Sequence, residues 1–354
     1  MPAREVDLRS DTVTHPTAAM REAMYRAEIG DDVYGEDPTV SRLEELSADL
    51  LGKEAAVFLL SGTMGNLVGV LAQAGRGDEI IVGEHCHIVL AESAAVAAFG
   101  GVQLRTVPTQ RGRMNPADVA ALIRPRNDVH HPPSALLCLE NTHNRQGGAA
   151  LTPTDTRAVA NVAHEHGLRV HLDGARLFNA AVALGVPARD LAADVDSVTF
   201  CLSKGLSCAV GSLLCGSAEY IQQARRIRKM AGGSMRQSGV VAAAGIVALE
   251  QMIDRLAEDH DNAKRLAVGL ANTPGVSIDP NEVETNLVFA DVEPAYLSGQ
   301  EFLAGLADQG VKASGPGGQR VRLVLHAGIT ADDIDFALAA VGRVMAAARQ
   351  PVAV

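Results

Sequence analysis

The sequence contains no tryptophan, and only 3% of its 354 residues are aromatic. This scarcity argues against base-stacking platforms and membrane-interface belts, both of which depend on aromatic rings. Lysine and arginine together number 31 against 42 aspartates and glutamates, which gives a formal net charge of −11. Because a molecule with this charge repels nucleic acid and anionic lipid as a whole, we expect neither as a partner.

No run of residues approaches the roughly 20 consecutive apolar residues of a transmembrane helix, so we expect no membrane span. Residues 1–7 carry charges where a secretory signal peptide has an apolar stretch. The five cysteines are odd in number and most lie in apolar runs, which is typical of reduced thiols rather than of a disulfide framework. Together these features predict a cytoplasmic protein.

Short apolar runs alternate with amphipathic segments through the first 250 residues. Continuous apolar runs rich in β-branched residues are typical of strands buried on both faces of a parallel sheet, and the segments between them predict helices on those faces. The predicted strands are 55–60, 79–82, 102–107, 135–139, 168–172, 195–201 and 212–215. The sequence therefore predicts an α/β fold with a mostly parallel central sheet flanked by helices.

The alternation changes after about residue 250. Shorter predicted strands and helices follow one another there, at 285–290, 298–309, 311–313, 320–325 and 331–348. We therefore expect a large domain at 1–249 and a smaller α+β C-terminal domain at 250–354. The N-terminal segment 1–13 is a candidate to pack with the small domain.

The chain has only five lysines, and Lys204 alone follows a buried strand, in the segment TFCLSKG. An ammonium group at such a strand end is paired, or it gives up its proton and becomes a nucleophile. The alternative for Lys204 is an ordinary loop lysine in solvent. Asp173 follows the preceding predicted strand, and ligands of open α/β sheets bind outside the carboxyl ends of strands. We therefore expect Asp173 and Lys204 to face one crevice.

A lysine amine and a buried carboxylate are the two protein groups that pyridoxal 5′-phosphate requires. The amine forms a Schiff base with the cofactor, and the carboxylate keeps the pyridine nitrogen protonated so that the ring can accept electrons. The alternative interpretation is a structural ion pair of Asp173 with Lys204 or with Arg176.

A cradle for the cofactor's phosphate is predicted at Ser61, Gly62 and Thr63, where a strand gives way to a helix. Small residues let the backbone approach an anion, and the helix start offers free N–H groups and the positive end of its dipole. The same Ser-Gly-Thr run is also an ordinary helix cap. Arg236 follows a glycine-rich turn and is a candidate to complete an anion site across a subunit interface.

Histidine and arginine residues supply further candidates. His85 and His87 flank a cysteine, but no second cluster with metal-ligand spacing accompanies them, so we expect no metal. Either histidine could instead lie over the cofactor ring. Arg322 lies on an inner strand of the small domain and needs a carboxylate partner, which is either the substrate's α-carboxylate or an acidic neighbour.

Several longer segments resemble the low-specificity L-threonine aldolases. The matching segments are 7–12 (DLRSDT), 30–35 (GDDVYG), 139–144 (LENTHN), 170–176 (VHLDGAR), 199–205 (TFCLSKG) and 235–239 (MRQSG). They run in order from about residue 6 to residue 326. The resemblance implies a pyridoxal-phosphate-dependent enzyme of fold type I, in the β-eliminating lyase and threonine aldolase family. It also implies active sites at the interface of a homodimer, commonly assembled into a homotetramer.

The resemblance also assigns roles to site residues by position. The residues implied to bind the cofactor are Ser61, Gly62, Thr63, His87, Asp173, Arg176, Ser203, Lys204 and, from a neighbouring subunit, Arg236. The residues implied to bind the substrate are Ser10, Tyr34, His130, Arg176 and Arg322. The catalytic candidates are Lys204 as the Schiff-base lysine, Asp173 as the partner of the pyridine nitrogen, His87 and His130.

The implied reaction is the reversible cleavage of L-threonine, L-allo-threonine and other β-hydroxy-α-amino acids to glycine and an aldehyde. The base that takes the β-hydroxyl proton stays open between His87, His130 and a bound water. A β-eliminating lyase or an aminotransferase of the same fold is the alternative enzyme, and a non-catalytic cofactor-binding regulator is the alternative from another class. The segment at 91–94 and the prolines at 132–133 depart from the family pattern, which leaves the preferred aldehyde open.

Overall fold

The computed structural model describes residues 4–348; residues 1–3 and 349–354, at the outer ends of the two predicted domains, lie outside the described residues. The strands are β1 (Val6–Asp7), β2 (Ala55–Leu59), β3 (Glu79–Gly83), β4 (Gln103–Val107), β5 (Thr109–Gln110), β6 (Arg113–Met114), β7 (Ser134–Glu140), β8 (Arg169–Asp173), β9 (Ser197–Cys201), β10 (Ser212–Gly216), β11 (Val276–Ser277), β12 (Leu287–Val292), β13 (Val311–Lys312), β14 (Ser314–Gly317) and β15 (Arg320–Val324).

The α-helices connect these strands. They are α1 (Ala18–Arg26), α2 (Pro38–Leu51), α3 (Gly62–Leu71), α4 (His87–Leu90), α5 (Ala95–Gly100), α6 (Pro116–Leu122), α7 (Pro153–Glu165), α8 (Leu177–Leu184), α9 (Ala188–Ala192), α10 (Ala218–Met230), α11 (Gly239–Gln251), α12 (Leu256–Ala271), α13 (Gly299–Asp308) and α14 (Ala331–Ala348). Within residues 4–348, no helix combines the length and the apolar character that crossing a membrane requires.

The central sheet has the strand order β2-β10-β9-β8-β7-β3-β4. Strands β4, β3, β7, β8 and β9 run parallel to one another, while β10 is antiparallel to both β2 and β9. The short connection between β9 and β10 contains no helix that could carry the chain back across the sheet, so β10 reverses direction. The structure confirms the predicted α/β fold with a mostly parallel central sheet.

Helices cover both faces of this sheet because successive strand residues point to opposite sides. In β2, Ala56 and Phe58 belong to the core that includes α2 residues, whereas Val57 and Leu59 pack with α3 and α10. Helix α2 shows how the sequence sets the ends of a helix. The Asp37 side chain caps its start by accepting the backbone N–H groups of Thr39 and Val40, and Gly52 ends it in a left-handed conformation with a φ of 62°.

A second sheet forms the C-terminal part, with the order β11-β12-β15-β14 and antiparallel pairing throughout. It has its own apolar core with residues from α12, α13 and α14. Strand β1 pairs with β13, and Val6 and Leu8 lie in this core. The division into domains at 1–249 and 250–354, with segment 1–13 packed on the smaller one, stays our proposal, and the separate cores support it.

The carboxyl ends of β3, β7, β8 and β9 lie at one edge of the central sheet, since these strands are parallel. Asp173 is the last residue of β8, and the segments that follow β3, β7 and β9 at this edge carry His87, Asn144 and Lys204. Helix α3 starts beside the same edge after β2, and β15 of the second sheet lies against it through a contact between Arg322 and Asn144. This edge positions the candidate site.

Candidate active site

Asp173 is the last residue of β8, and its carboxylate is buried. One carboxylate oxygen accepts the backbone N–H of Ala175 at 3.0 Å, and the other accepts the side-chain amide of Asn66 at 2.8 Å. Asn66 lies one turn inside α3, between two glycines that let the helix approach the sheet closely. The fold therefore holds the Asp173 carboxylate from two sides, as a buried charge requires.

The same Asn66 amide links Asp173 to a histidine. Its nitrogen also donates to Glu92 Oε1 at 2.7 Å, and that oxygen lies 2.7 Å from Nδ1 of His87. The hydrogen bond from Glu92 raises the pKa of His87 against the opposing effect of burial. Burial raises the pKa of Glu92, and its contact with His87 opposes this. The result is a continuous chain of contacts from His87 through Glu92 and Asn66 to Asp173.

A neutral histidine fixes the orientation of Asn66. His171 is fully buried, and burial lowers its pKa to about 4. Its Nε2 lies 3.3 Å from the amide oxygen of Asn66, and its Nδ1 lies 2.9 Å from Ser197 Oγ. Because an amide oxygen only accepts, Nε2 carries the proton and Nδ1 accepts from the serine. This bond turns the NH₂ group of Asn66 toward the two carboxylates.

Lys204 lies on the connection after β9 and is half-buried, as is Ser203 before it. The backbone oxygen of Lys204 accepts the N–H of Ser207 at 2.8 Å and the hydroxyl of Thr14 at 3.1 Å, so this carbonyl is bound both by its own turn and by the N-terminal segment. The charge of Lys204 lowers the pKa of His87, whereas that of Asp173 raises it. Asp173 and Lys204 follow neighbouring parallel strands and therefore lie at the same edge of the sheet.

Arg176 forms a buried ion pair with Asp11. Its Nε and Nη2 donate to the two oxygens of Asp11 at 2.6 and 2.7 Å. Burial alone would raise the pKa of Asp11, but the guanidinium group outweighs this and holds it well below the ordinary value. The alternative of an Asp173–Arg176 pair is wrong, because the bidentate partner of Arg176 comes from the N-terminal segment instead.

Arg322 approaches the edge from the small sheet. Its Nη2 donates to Asn144 Oδ1 at 3.1 Å and its Nη1 to the backbone oxygen of Arg9 at 3.3 Å, while its buried Nε has no partner within the described residues. Arg176 Nη1 lies 3.5 Å from the same Asn144 oxygen. Burial lowers the pKa of Arg322 to about 10. Within residues 4–348 no acidic side chain pairs with Arg322, so the alternative of an acidic neighbour is not what the structure shows.

Ser10 and the start of α3 complete the cluster. Ser10 is half-buried, and its hydroxyl lies 3.5 Å from an oxygen of Asp11. Ser61 caps α3 by accepting the N–H of Met64 at 3.2 Å, and Gly62 and Thr63 are the first two helical residues. A Cβ at Gly62 would lie 2.6 Å from the sulfur of a cysteine at the end of β9, so the helix start lies directly against that strand.

Three predicted site residues lie apart from this cluster within one chain. Tyr34 is 74% exposed, and exposed Arg236 pairs with Asp31 at 2.9 Å. His130 is exposed on the segment that precedes β7, so it lies at the amino edge of the parallel strands rather than at their carboxyl edge. None of the three forms a hydrogen bond or ion pair with the side chains of this cluster among residues 4–348.

The sequence reasoning did not assign roles to Asp11, Asn66, Glu92 or Asn144. Asp11 follows Ser10 directly within the N-terminal DLRSDT segment, and Asn144 ends the LENTHN segment, so both stand in motifs that were noticed. Asn66 follows Gly62 by one helical turn, which was an available signal. Glu92 lies in a segment that we considered only for the size of the pocket.

Two groups of three side chains within the described residues are close enough to hold a metal ion, Cys86 with Glu140 and His143, and His87 with Glu92 and Asp173. Hydrogen bonds engage both oxygens of Glu140 and of Asp173, whereas Oε2 of Glu92 is buried without a partner among residues 4–348. Glu140, for example, accepts the backbone N–H groups of His87 and, at 2.8 Å, of Asn144. The absence of a metal stays a prediction.

Comparison with known proteins places this arrangement in a family. The model of the family described as beta-eliminating lyase matches residues 7–293. The chain is 44% identical to low-specificity L-threonine aldolase 1 of Arabidopsis thaliana over 355 aligned residues, 99% of each chain. It is 45% identical to the low specificity L-threonine aldolase of Escherichia coli K12, covering 86% of this chain and 87% of that one.

Solved structures agree with the sequence comparisons about the fold. The structure of Leishmania major threonine aldolase superimposes with a TM-score of 0.82 at 20% identity, covering 96% of this chain and 99% of that one. This similarity confirms the predicted fold type I of pyridoxal-phosphate-dependent enzymes. The chain therefore belongs to the beta-eliminating lyase family, among the low-specificity L-threonine aldolases.

Proposed function

We propose that this chain is a pyridoxal-phosphate-dependent aldehyde-lyase that cleaves L-threonine, L-allo-threonine and other β-hydroxy-α-amino acids reversibly to glycine and an aldehyde. The observation that carries the proposal is the placement of Asp173 at the end of β8 and Lys204 on the connection after the parallel neighbour β9, with the guanidinium groups of Arg176 and Arg322 both reaching Oδ1 of Asn144 at the same edge. The naming of relatives at 44–45% identity as threonine aldolases agrees with it.

The side chains at the sheet edge fit the cofactor chemically. When bound, pyridoxal phosphate supplies a protonated pyridine ring that takes up the electron pair of the cleaved Cα–Cβ bond. Lys204 would attach it covalently, and the buried Asp173 carboxylate would hold the pyridine nitrogen. The phosphate would meet the N-terminus of α3 at Gly62 and Thr63, where the first N–H groups of a helix have no intrahelical acceptor.

Further cofactor contacts come from residues around these. Ser61 and Ser203 add hydroxyl donors near the helix start and the lysine, and Arg236 would reach the phosphate of a neighbouring subunit. Serine is a common helix-capping residue, and the Ser61 hydroxyl already accepts the N–H of Met64. It would therefore cap α3 and donate its own proton to the phosphate at the same time. The donor set as a whole is what the cofactor requires: an amine, a buried carboxylate and an anion-binding helix end.

The substrate's α-carboxylate would bind between the arginines. Arg322 has an unpartnered Nε, and its two other nitrogens reach neutral oxygens rather than a carboxylate. Because Asp11 neutralises Arg176, Arg176 would orient the substrate, and Arg322 would supply the positive charge that balances the α-carboxylate. With Ser10 beside them, these groups hold the substrate in one orientation, which fixes the bond of Cα that is cleaved.

His87 is the proton acceptor that we favour for the β-hydroxyl group. Its ring is half-buried, and Glu92 holds Nδ1, which leaves Nε2 to face the substrate. His130 lies at the opposite edge of the sheet within one chain, so it could act only in the site of a partner subunit. A water bound between His87 and the β-hydroxyl group would pass the proton to the same histidine.

We also propose that the chain works in the cytoplasm as a homodimer or homotetramer with its active sites at the dimer interface. The five cysteines are buried and unpaired in disulfides, which supports a reducing compartment. The exposure of Tyr34, His130 and Arg236 supports an interface role, because residues that serve a partner's site lie on the surface of their own chain.

The test is to incubate the purified protein and pyridoxal phosphate with L-threonine and to quantify acetaldehyde and glycine together. We expect equimolar amounts of both from the wild type and from Lys264→Ala, whose lysine is exposed on α12. Lys204→Ala should lose nearly all cleavage together with the visible absorbance of lysine-bound cofactor. A keto acid in place of acetaldehyde would indicate a lyase or aminotransferase, and bound cofactor without product would indicate a regulator.

A further inference from the structure

Asn144 contacts both arginines of the proposed carboxylate site. Its Oδ1 accepts Nη2 of Arg322 at 3.1 Å and Nη1 of Arg176 at 3.5 Å. Because guanidinium nitrogens only donate, the arginines face the oxygen of this amide and not its nitrogen. Arg176 lies between β8 and α8 and Arg322 lies on β15, so one neutral oxygen joins guanidinium groups from the two sheets. The proposed function leaves this contact without a role.

The backbone of Asn144 is fixed from two sides. The preceding residue, His143, forms a β-bridge with Ala149, and the N–H of Asn144 donates to Oε1 of Glu140 at 2.8 Å. Glu140 is the last residue of β7 and is 3% exposed, and its other oxygen accepts the backbone N–H of His87. One buried carboxylate therefore sets Asn144 in place relative to both the sheet and the proposed proton acceptor.

The two arginines differ in the charge of their partners. Arg176 donates to both oxygens of Asp11, at 2.6 and 2.7 Å, so a carboxylate of the chain itself balances its charge. Arg322 reaches only neutral oxygens, those of Asn144 and of the Arg9 backbone, and its Nε has no partner among residues 4–348. Counted over the two guanidinium groups and the side chains bonded to them, one positive charge is in excess.

The excess charge depends on the amide of Asn144. An aspartate has nearly the same shape, but its carboxylate would form an ion pair with Arg322, as Asp11 does with Arg176. Hydrogen bonds between charged groups are roughly twice as strong as neutral ones, so a ligand carboxylate would then compete with a partner that is always present. The amide instead orients the guanidinium groups and leaves one positive charge for a ligand with a single carboxylate.

We propose that Asn144 is a positioning residue for the substrate's α-carboxylate: it holds Arg176 and Arg322 together, and its neutrality keeps the charge of Arg322 available. This inference rests on the proposed aldolase function and adds one residue to its substrate site. The α-carboxylate is present in the substrate and in the product glycine alike, so a contact that serves it stabilises all bound states equally. A defect of that kind raises KM and leaves kcat nearly unchanged.

Two substitutions separate the charge of this side chain from its shape. Asn144→Asp keeps the shape and adds a negative charge, whereas Asn144→Ala removes the shared oxygen and adds none. We expect the KM of the holoenzyme for L-threonine to rise about tenfold or more in Asn144→Asp, with kcat within about threefold of the wild type. The rise in Asn144→Ala should be smaller. A merely structural role predicts the opposite order, because aspartate fills the same space and still accepts from both arginines.

Binding measured without turnover tests the same point. The dissociation constant of the holoenzyme for glycine, followed through the absorbance of the bound cofactor, should rise about tenfold or more in Asn144→Asp, because the charge-assisted pair with the ligand is lost. The constant for 1-amino-2-propanol, which is threonine without its α-carboxylate, should stay within about twofold, as should the constant for pyridoxal phosphate. The matched control is Asn161→Asp, which makes the same change at an exposed position of α7 and should leave all three constants in place.

The outcomes separate this inference from the function on which it rests. A KM in Asn144→Asp no higher than in Asn144→Ala, or an equal loss of affinity for glycine and for 1-amino-2-propanol, would overturn the role of Asn144 and keep the aldolase. Release of no glycine from threonine or allo-threonine by the wild type would overturn the aldolase, and the two dissociation constants would still decide about Asn144. Where Asn144→Asp fails to fold, Asn144→Ala decides: weaker binding of glycine alone supports the inference, and any other pattern contradicts it.

Discussion

Among the buried carboxylates near the carboxyl edge of the central sheet, Asp11, Asp173 and Glu92 have different sets of partners. Asp11 has a guanidinium group, Asp173 has an amide and a backbone N–H, and Glu92 has an imidazole and the same amide. A buried charge without a partner is costly, so these partners decide which carboxylates stay ionised. Under the proposed function, Asp173 would hold the cationic ring nitrogen of the cofactor, and the contact with Glu92 raises the pKa of His87.

Replacing Glu92 by Gln should lower the pKa of His87, because the contact with Glu92 is what raises it. If neutral His87 accepts the β-hydroxyl proton, activity rises as the pH passes upward through the pKa of His87. We therefore expect the acidic limb of the kcat/KM profile for threonine to move to lower pH in Glu92→Gln. The measurement is kcat/KM from about pH 5 to 9 with saturating cofactor, a span that covers the ordinary histidine range.

The control for this change is Glu45→Gln, which alters an exposed residue of α2 and should leave the profile in place. A purely structural role of Glu92 would lower kcat at every pH without moving the acidic limb. An unmoved limb in Glu92→Gln would thus contradict the assignment of His87 as the proton acceptor under the control of Glu92.

At the level of single residues, the sequence predicts the groups that follow strands and misses the groups that support them. Lys204 and Asp173 could be found because each comes directly after an apolar run. Asn66 contacts residues 26 and 107 positions away, and no local pattern reports such a contact. The pairing of Asp11 with Arg176 spans 165 positions and was missed for the same reason.

Among the elements, α3 approaches the sheet closely at two of its glycines. A Cβ on Gly65 would lie 2.5 Å from Thr199 Oγ1, and one on Gly69 would lie 2.5 Å from Cε1 of His171. The two glycines are one turn apart and flank Asn66 on the buried side of the helix. Their lack of side chains lets α3 come close enough for the amide of Asn66 to reach Asp173.

Replacing Gly69 by Ala should push α3 away from β8, since the ring of His171 is buried and cannot retreat. Overpacking of this kind costs roughly 1–3 kcal/mol of stability. The Asn66–Asp173 bond should lengthen as well, so we also expect weaker cofactor binding. Thermal unfolding of the cofactor-free protein and a titration with pyridoxal phosphate measure the two effects.

Gly342→Ala is the matched control, because a Cβ at this position of α14 meets nothing within 4 Å. Alanine is the better helix former, so this variant should be about 0.5–1 kcal/mol more stable and bind the cofactor normally. Equal cofactor affinity in both alanine variants would mean that the close approach of α3 does not hold the site together.

The elements themselves were predicted unevenly, for identifiable reasons. Strand β3 is buried throughout and β8 at every position except its first, and both were found to within a residue or two from their short apolar stretches. Strand β14 was missed because its residues are Ser-Gly-Pro-Gly, and only pairing with β15 makes it a strand. Helix α8 is apolar on nearly every side, so it shows none of the periodicity that identifies an amphipathic helix.

For the whole molecule, three of the predicted site residues lie on the surface of the chain, where we propose that they serve a neighbouring subunit. Tyr34, His130 and Arg236 lie on its surface, and large apolar side chains such as Tyr25 and Met230 are 86% and 75% exposed. Exposed apolar groups of this size mark interaction surfaces when they cluster. The sequence alone cannot assign these residues to one subunit or the other. The motifs follow one another in the same order whether a residue contributes to the site of its own chain or to that of a partner.

Mixing two inactive variants decides whether Arg236 serves a neighbouring site. If it reaches the partner's phosphate, a hybrid of Lys204→Ala and Arg236→Ala subunits contains one site with an intact lysine from one chain and an intact arginine from the other. Random reassociation of equal amounts should then restore about a quarter of wild-type activity, since half of the dimers are hybrids with one complete site each.

The opposite arrangement gives a different result from the same mixture. If Arg236 acted on the cofactor of its own chain, every site in the hybrid would lack either the lysine or the arginine, and mixing would restore nothing. Lys204→Ala mixed with Lys204→Ala carrying Arg189→Gln is the control that must stay inactive. Because restoration requires a site assembled from two chains, the recovered activity also shows that the dimer, rather than the monomer, is the catalytic unit.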